Sequence, residues 1–195
     1  AAFAAEAFGA AHGPVARFEH VYPVMSSHTV VSKLRWTHAL AINLAADYEL
    51  APSALSAADV ELDSGLALLA YTGYGAADNA TLLGGGGLWS DDNPIPLAAC
   101  NESDFALWHA APVLPNGHAY LGELAKWVPV AAARTEAIEY SGASTHVTVR
   151  GAPGEPVNLT FAIQVGGGEF DVVTVACELS AAGTAVASVP EMTCA

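Results

Sequence analysis

With 195 residues, 53% of them hydrophobic and 13% charged, the chain can bury one large core or two small ones. Twenty acids against six bases give a formal net charge of −14, which excludes nucleic acid and anionic membrane surfaces as electrostatic partners. No apolar run reaches the ~20 residues of a membrane span, because Gly, Pro or a charge interrupts each one.

Residues 1–16, AAFAAEAFGAAHGPVA, carry only Glu6 and His12 as polar side chains and show no clean helical face. They lack the basic start of an intact signal peptide, so Ala1 reads as a mature end or a cut inside a longer chain. The expectation is a terminal arm, extended or a short helix, ended by Gly13-Pro14. Such an arm packs on its own domain or inserts into a neighbour as an added strand. Residues 17–195 are expected to form one β-sandwich domain, with a possible sub-boundary near 84–93.

Val15 to Met25 alternates loosely, and Pro23 makes it an edge strand. Thr29–Val31 and Trp36–Leu44 follow, the second with period-two alternation. Ala51-Pro52 closes this unit. Val60–Leu62 and Leu66–Tyr71 are the next strands, joined by the turn residues Asp63-Ser64-Gly65. Residues 72–87 read as a flexible loop ending in four glycines. They are no phosphate cradle, since Lys-Ser/Thr and a following helix are missing.

Trp89 stands beside Asp91, Asp92 and Asn93. Read as an exposed Trp among acids, this stretch is a structural loop, a sugar contact through Trp89, Asp91 and Asp92, or a Ca²⁺ loop. The last needs six to eight oxygens and has three side chains to offer. Next come Phe105–Leu114 and Ala119–Val130, two apolar runs around Pro115-Asn116-Gly117. Asn-Gly between such runs is a hairpin signal, and their length places them in the middle of a β structure.

Glu136–Tyr140, Thr145–Arg150, Val157–Val165, Phe170–Cys177 and Thr184–Val189 are the remaining strands, with Gly166-Gly167-Gly168 and Ala182-Gly183 as turns. In Val157–Val165 the odd positions face the core, and Asn158, Thr160, Ala162 and Gln164 face water. About ten to twelve short strands without helical periodicity make an all-β chain, an antiparallel sandwich or two stacked β units.

Asn79, Asn101 and Asn158 each begin an Asn-X-Ser/Thr sequon, and three in one chain favour a secreted, N-glycosylated protein. Cys177 and Cys194 lie in the last two strands and are paired on that ground. Cys100 is then free or intermolecular, though it could replace either. The seven histidines (His12, His20, His28, His38, His109, His118, His146) form no zinc pattern. His118 and Glu123 could approach each other without a third ligand. No Gly-x-Ser-x-Gly elbow exists. Asp91, Asp92 and Asp104 are available as paired carboxylates but sit in turns.

Asp104 to Leu114 (DFALWHAAPVL), then Pro-Asn-Gly and Leu121 to Lys126, resembles the C-terminal β domain of the raffinose-synthase, seed-imbibition and alkaline α-galactosidase group of glycoside hydrolases. Pro94–Leu97 before it, and Ala137–Tyr140 and Val149–Gly151 after it, extend the resemblance over roughly residues 60–190. That family's catalytic aspartates sit in a (β/α)₈ barrel, of which nothing is present, and its later Gly-Arg-Phe-Gly segment is missing. The resemblance implies an accessory β domain with no catalytic residues to carry over.

Two functions follow as expectations, neither with a cofactor or metal. One is a non-catalytic secreted subunit of an extracellular assembly. Its partners would be copies of itself or another extracellular protein, and its arm could build a fibril. The alternative is the accessory β module of an α-galactosidase-like enzyme, with carbohydrate as partner and Trp89, Trp108, Trp127, Tyr71 and Tyr74 as stacking candidates.

Overall fold

The computed structural model describes residues 24–42, 53–57, 65–74, 79–97 and 105–195. The arm expected at 1–16 and the strand expected at Val60–Leu62 lie outside them. The described residues form fifteen strands and no helix. The first half holds β1 (Val24–Val31), β2 (Leu34–Ile42), β3 (Ser53–Leu55), β4 (Leu68–Thr72), β5 (Thr81–Leu82), β6 (Leu88–Trp89), β7 (Ile95–Leu97) and β8 (Phe105–Pro112). The second holds β9 (His118–Gly122), β10 (Thr135–Ser141), β11 (Ser144–Arg150), β12 (Pro156–Gly166), β13 (Glu169–Glu178), β14 (Thr184–Val189) and β15 (Thr193–Cys194).

All pairings are antiparallel. The largest sheet has the order β1-β2-β8-β4-β5, with β6 also on β4. A four-stranded sheet runs β10-β11-β14-β15, a three-stranded one β13-β12-β9, and β3 pairs with β7. This is the all-β architecture of packed antiparallel sheets that the alternation and turn signals imply. Among the described residues β1 is an edge strand; the edge strand expected over Val15–Met25 lies outside them except for its last two residues.

The β1–β2 hairpin closes through Ser32 and Lys33, both at positive φ (49° and 66°), the geometry of a two-residue primed turn. Neither is glycine, so the turn carries a local cost. Ser32 Oγ offsets it by accepting a hydrogen bond from the Ile138 amide at 2.9 Å, which ties the hairpin tip to β10.

Pro115-Asn116-Gly117 does turn the chain: the Gly117 amide bonds the Leu114 carbonyl at 2.8 Å and the Leu114 amide the His118 carbonyl at 2.7 Å. Gly117, at φ 81°, supplies the left-handed residue that this three-residue loop requires. The strands on either side nevertheless do not pair, which corrects the hairpin expectation. β8 lies inside the large sheet between β2 and β4, and β9 joins β12. The turn is a crossover between sheets, and β9 is buried along its whole length. Its carbonyls are used across the core: Trp36 Nε1 donates to Tyr120 O at 2.8 Å and Tyr71 Oη to Leu121 O at 2.7 Å.

The main core joins Trp36 and Tyr71 of the large sheet to Tyr120, Leu159 and Phe161 and to Val147, Val149 and Ala187. Each such buried side chain contributes roughly 1.5–3 kcal/mol of transfer free energy. A second cluster packs Ala39, Leu68 and Trp89 against Leu55, Ile95 and Leu97 of the β3–β7 pair. Two details of β12 differ from the expected alternation. Thr160 and Ala162 are buried, because this sheet is covered on both faces there, and Val165 is 56% exposed, because the hairpin tip extends past the core. The four glycines are not a slack loop: they form turns, and Asn93 Nδ2 donates to both Gly84 O (2.8 Å) and Leu88 O (2.7 Å).

Candidate functional site

Arg134 organises the ground beneath the site. Its guanidinium spends all five N–H groups. Nε donates to Glu123 Oε1 (2.8 Å), and Nη2 to Glu123 Oε2 (3.1 Å) and Glu155 Oε1 (2.7 Å). Nη1 donates to Glu155 Oε2 (2.8 Å) and Arg150 O (3.0 Å). Glu123 is buried, and Lys126 Nζ lies 3.1 Å from its second oxygen. The hydrogen bonds that Arg134 donates to Glu155, then those to Glu123, raise its pKa further above its ordinary value. The bonds from Arg134, and after them the one from the Ala152 amide, hold Glu155 down at about 2.

Glu123 begins the loop that follows β9. Its amide bonds the Pro129 carbonyl at 3.0 Å and its carbonyl accepts from the Lys126 amide at 3.0 Å, so the loop closes on itself. Trp127 is turned outward from it. The indole meets Tyr74, just beyond β4, with ring centroids 5.0 Å apart at 75°, and Phe105, at the start of β8, at 5.2 Å and 43°. The three rings are 42%, 49% and 46% exposed respectively. Beside them a recess of about 50 Å³ is floored by Leu40, Leu107 and His38. Three large rings gathered on a surface leave apolar area that water solvates poorly, the mark of a contact surface.

Trp127 and Tyr74 were sugar-stacking candidates from the sequence. Phe105 was not, because only the register of β8 against β4 brings it there. The other candidates fare differently. Trp89 is 5% exposed and its Nε1 donates to Leu55 O at 3.0 Å, so the expected exposed platform is corrected. Its ring fills the second core cluster, while Asp91 and Asp92 beside it are exposed. Tyr71 is fully buried and Trp108 half-buried.

His118 and Glu123 do not meet. His118 Nδ1 lies 3.0 Å from Thr145 Oγ1, and Glu123 belongs to Arg134. Among the described residues no group of three His, Cys, Asp or Glu side chains could hold a metal ion. Asn79 and Asn158 are exposed; Asn101, Cys100, Asp104, His12 and His20 lie outside the described residues. Cys177 and Cys194 form a disulfide that joins β13 to β15, and so one sheet to the other. No described helix is long and apolar enough to cross a membrane.

A site invisible to sequence reasoning lies under the recess. His38 and His109 are direct cross-strand partners on β2 and β8, with Nδ1 to Nδ1 2.9 Å apart. One ring donates and the other accepts, an arrangement that two neutral imidazoles can make. Burial, then the charge of a neighbouring imidazole (His28 for His38, His38 for His109), lowers their pKa values to about 4 and about 3. No family model matches this sequence, and no curated protein matches it.

Proposed function

We propose that this protein is a non-catalytic, secreted glycoprotein that acts as an interaction subunit of an extracellular assembly, with copies of itself as partners. The observation that carries the reading is the exposed cluster of Tyr74, Phe105 and Trp127, the last on a loop anchored by the Glu123–Arg134 ion pair. A disulfide suits an oxidising compartment, and the exposure of Asn79 and Asn158 suits glycan attachment. The arm 1–16 is the proposed second contact. In the test, Trp127→Ala and deletion of residues 1–14 are each compared with the parent by light scattering. Loss of self-association in Trp127→Ala, with the far-ultraviolet spectrum unchanged, supports the cluster. Oligomer size unaltered in both variants rejects the reading.

The second reading is the accessory β module of an α-galactosidase-like carbohydrate-active enzyme. The exposed indole of Trp127 beside Tyr74 favours it, since both are sugar-stacking residue types. The crossed ring planes favour the first reading, because a sugar chain stacks on parallel faces. A glycan array bound by the parent and not by Trp127→Ala supports the second reading, and no binding in either rejects it.

A further inference from the structure

We infer that the outer edge of β13 is a docking site for an extended peptide strand that carries Lys or Arg at its ends. Among the described residues β13, ten residues long, pairs only with β12, and the disulfide brings β15 close at its Cys177 end; over the rest of the strand alternate residues point N–H and C=O away from the sheet with no backbone partner among the described residues. Its middle, Val172 to Ala176, is uncharged and rich in β-branched residues. Unpaired edges of this length and composition accept an added strand.

The ends of the edge define the partner. Glu169 and Asp171 stand at one end and Glu178 at the other, all exposed and none in a salt bridge among the described residues. A groove of about 280 Å³ runs between Gly84–Gly87 and the consecutive residues Glu169, Phe170 and Asp171. Side chains of consecutive strand residues point to opposite faces, so a groove touching all three follows the strand's edge and not one face. Its far wall is Leu82, Leu83 and the glycine backbone of Gly84–Gly87, with Gly86 packed against the Gly168 carbonyl, so the glycine stretch puts no side chain into the opening. An ammonium or guanidinium entering there meets two carboxylates. A second copy of β13 would bring acids against acids, which excludes self-pairing on this edge. This site is separate from the aromatic cluster and does not depend on it.

The experiment titrates the full chain with a capped peptide, Lys-Val-Thr-Val-Thr-Val-Lys, labelled for fluorescence polarisation. It is repeated with Glu in place of both Lys, with an alternately N-methylated form, and with the Glu169→Lys/Asp171→Lys variant. These acids are exposed and unbridged, so the variant folds; hydrogen exchange on it verifies this. Saturable binding of the Lys peptide, weakened about tenfold or more by each of the three changes, supports the inference. Slowed amide exchange within 169–176 on binding supports it too. No saturable binding at about 1 mM, equal binding of the Glu-ended or N-methylated peptide, or protection elsewhere overturns it.

Discussion

His38 and His109 share one hydrogen bond, Nδ1 to Nδ1 at 2.9 Å, at the centre of the largest sheet. Thr29 Oγ1 of β1 lies 3.2 Å from His38 Nε2, and the Tyr71 ring of β4 packs on His109 at 5.3 Å. No acid in these contacts can compensate a charge. Both folded pKa values lie below the ordinary 6.5, at about 4 and about 3. Below pH 6.5 the unfolded chain therefore binds protons that the folded chain refuses. Stability is full above 6.5 and falls as pH drops, by up to about 1.4 kcal/mol per pH unit for each ring. Urea unfolding between pH 7 and 4.5 should show this slope. In His38→Gln/His109→Gln the slope should shrink to the part owed to His118, whose pKa burial also lowers, and, near pH 4.5, to Glu155 and Glu191, whose pKa values lie below the ordinary one. An equal slope in the variant contradicts the assignment.

Arg134→Met should destabilise the protein by about 3 kcal/mol, because it leaves the buried Glu123 carboxylate with Lys126 alone. The loop bearing Trp127 should loosen, which a red shift of indole emission would report. Glu155 is held at about 2, against an ordinary 4.5, so its contribution is present above pH 4.5 and lost as pH falls toward 2. Unchanged stability in Arg134→Met contradicts the structural role given to this network.

The Cys177–Cys194 bond closes a loop with a sequence separation of 17. Cys194→Ser should cost about 3 kcal/mol by the chain-entropy account, measured by denaturant unfolding. Peptide mapping of the parent without reductant should recover a fragment containing both cysteines. Recovery of either one bound to Cys100 contradicts the pairing.

Gly122 has φ 88°, and a Cβ there would strike the Pro129 carbonyl and the Val130 side chain. Gly122→Ala should therefore lower the melting temperature more than Gly142→Ala, where φ is 56° but the space is open. Equal effects would show that backbone conformation alone, and not the approach of the 123–129 loop, fixes this glycine.

The strands from Thr135 to Val189 were legible because they are rich in alternating apolar and polar residues and are separated by glycine turns, although only β11 and β14 alternate cleanly in burial. Sites made by register were not. Nothing local tells that residues 38 and 109 pair, or that Phe105 comes to Trp127 and Tyr74. Trp89 misled because it lies between turn residues and acids, which read as surface, while its ring fills a cluster built from five other strands. Asn-Gly predicted a turn correctly but not the pairing. Local turn chemistry bends the chain, and the burial of β9 on both sides decides which sheet it joins.

The most direct measurement is multi-angle light scattering of the purified native protein, with and without reductant, beside Trp127→Ala. An oligomer or filament that Trp127→Ala reduces to a monomer is the predicted result. Sensitivity of that oligomer to reductant would implicate Cys100 in the contact. A parent protein that is monomeric at every concentration, and indistinguishable from Trp127→Ala, contradicts the account.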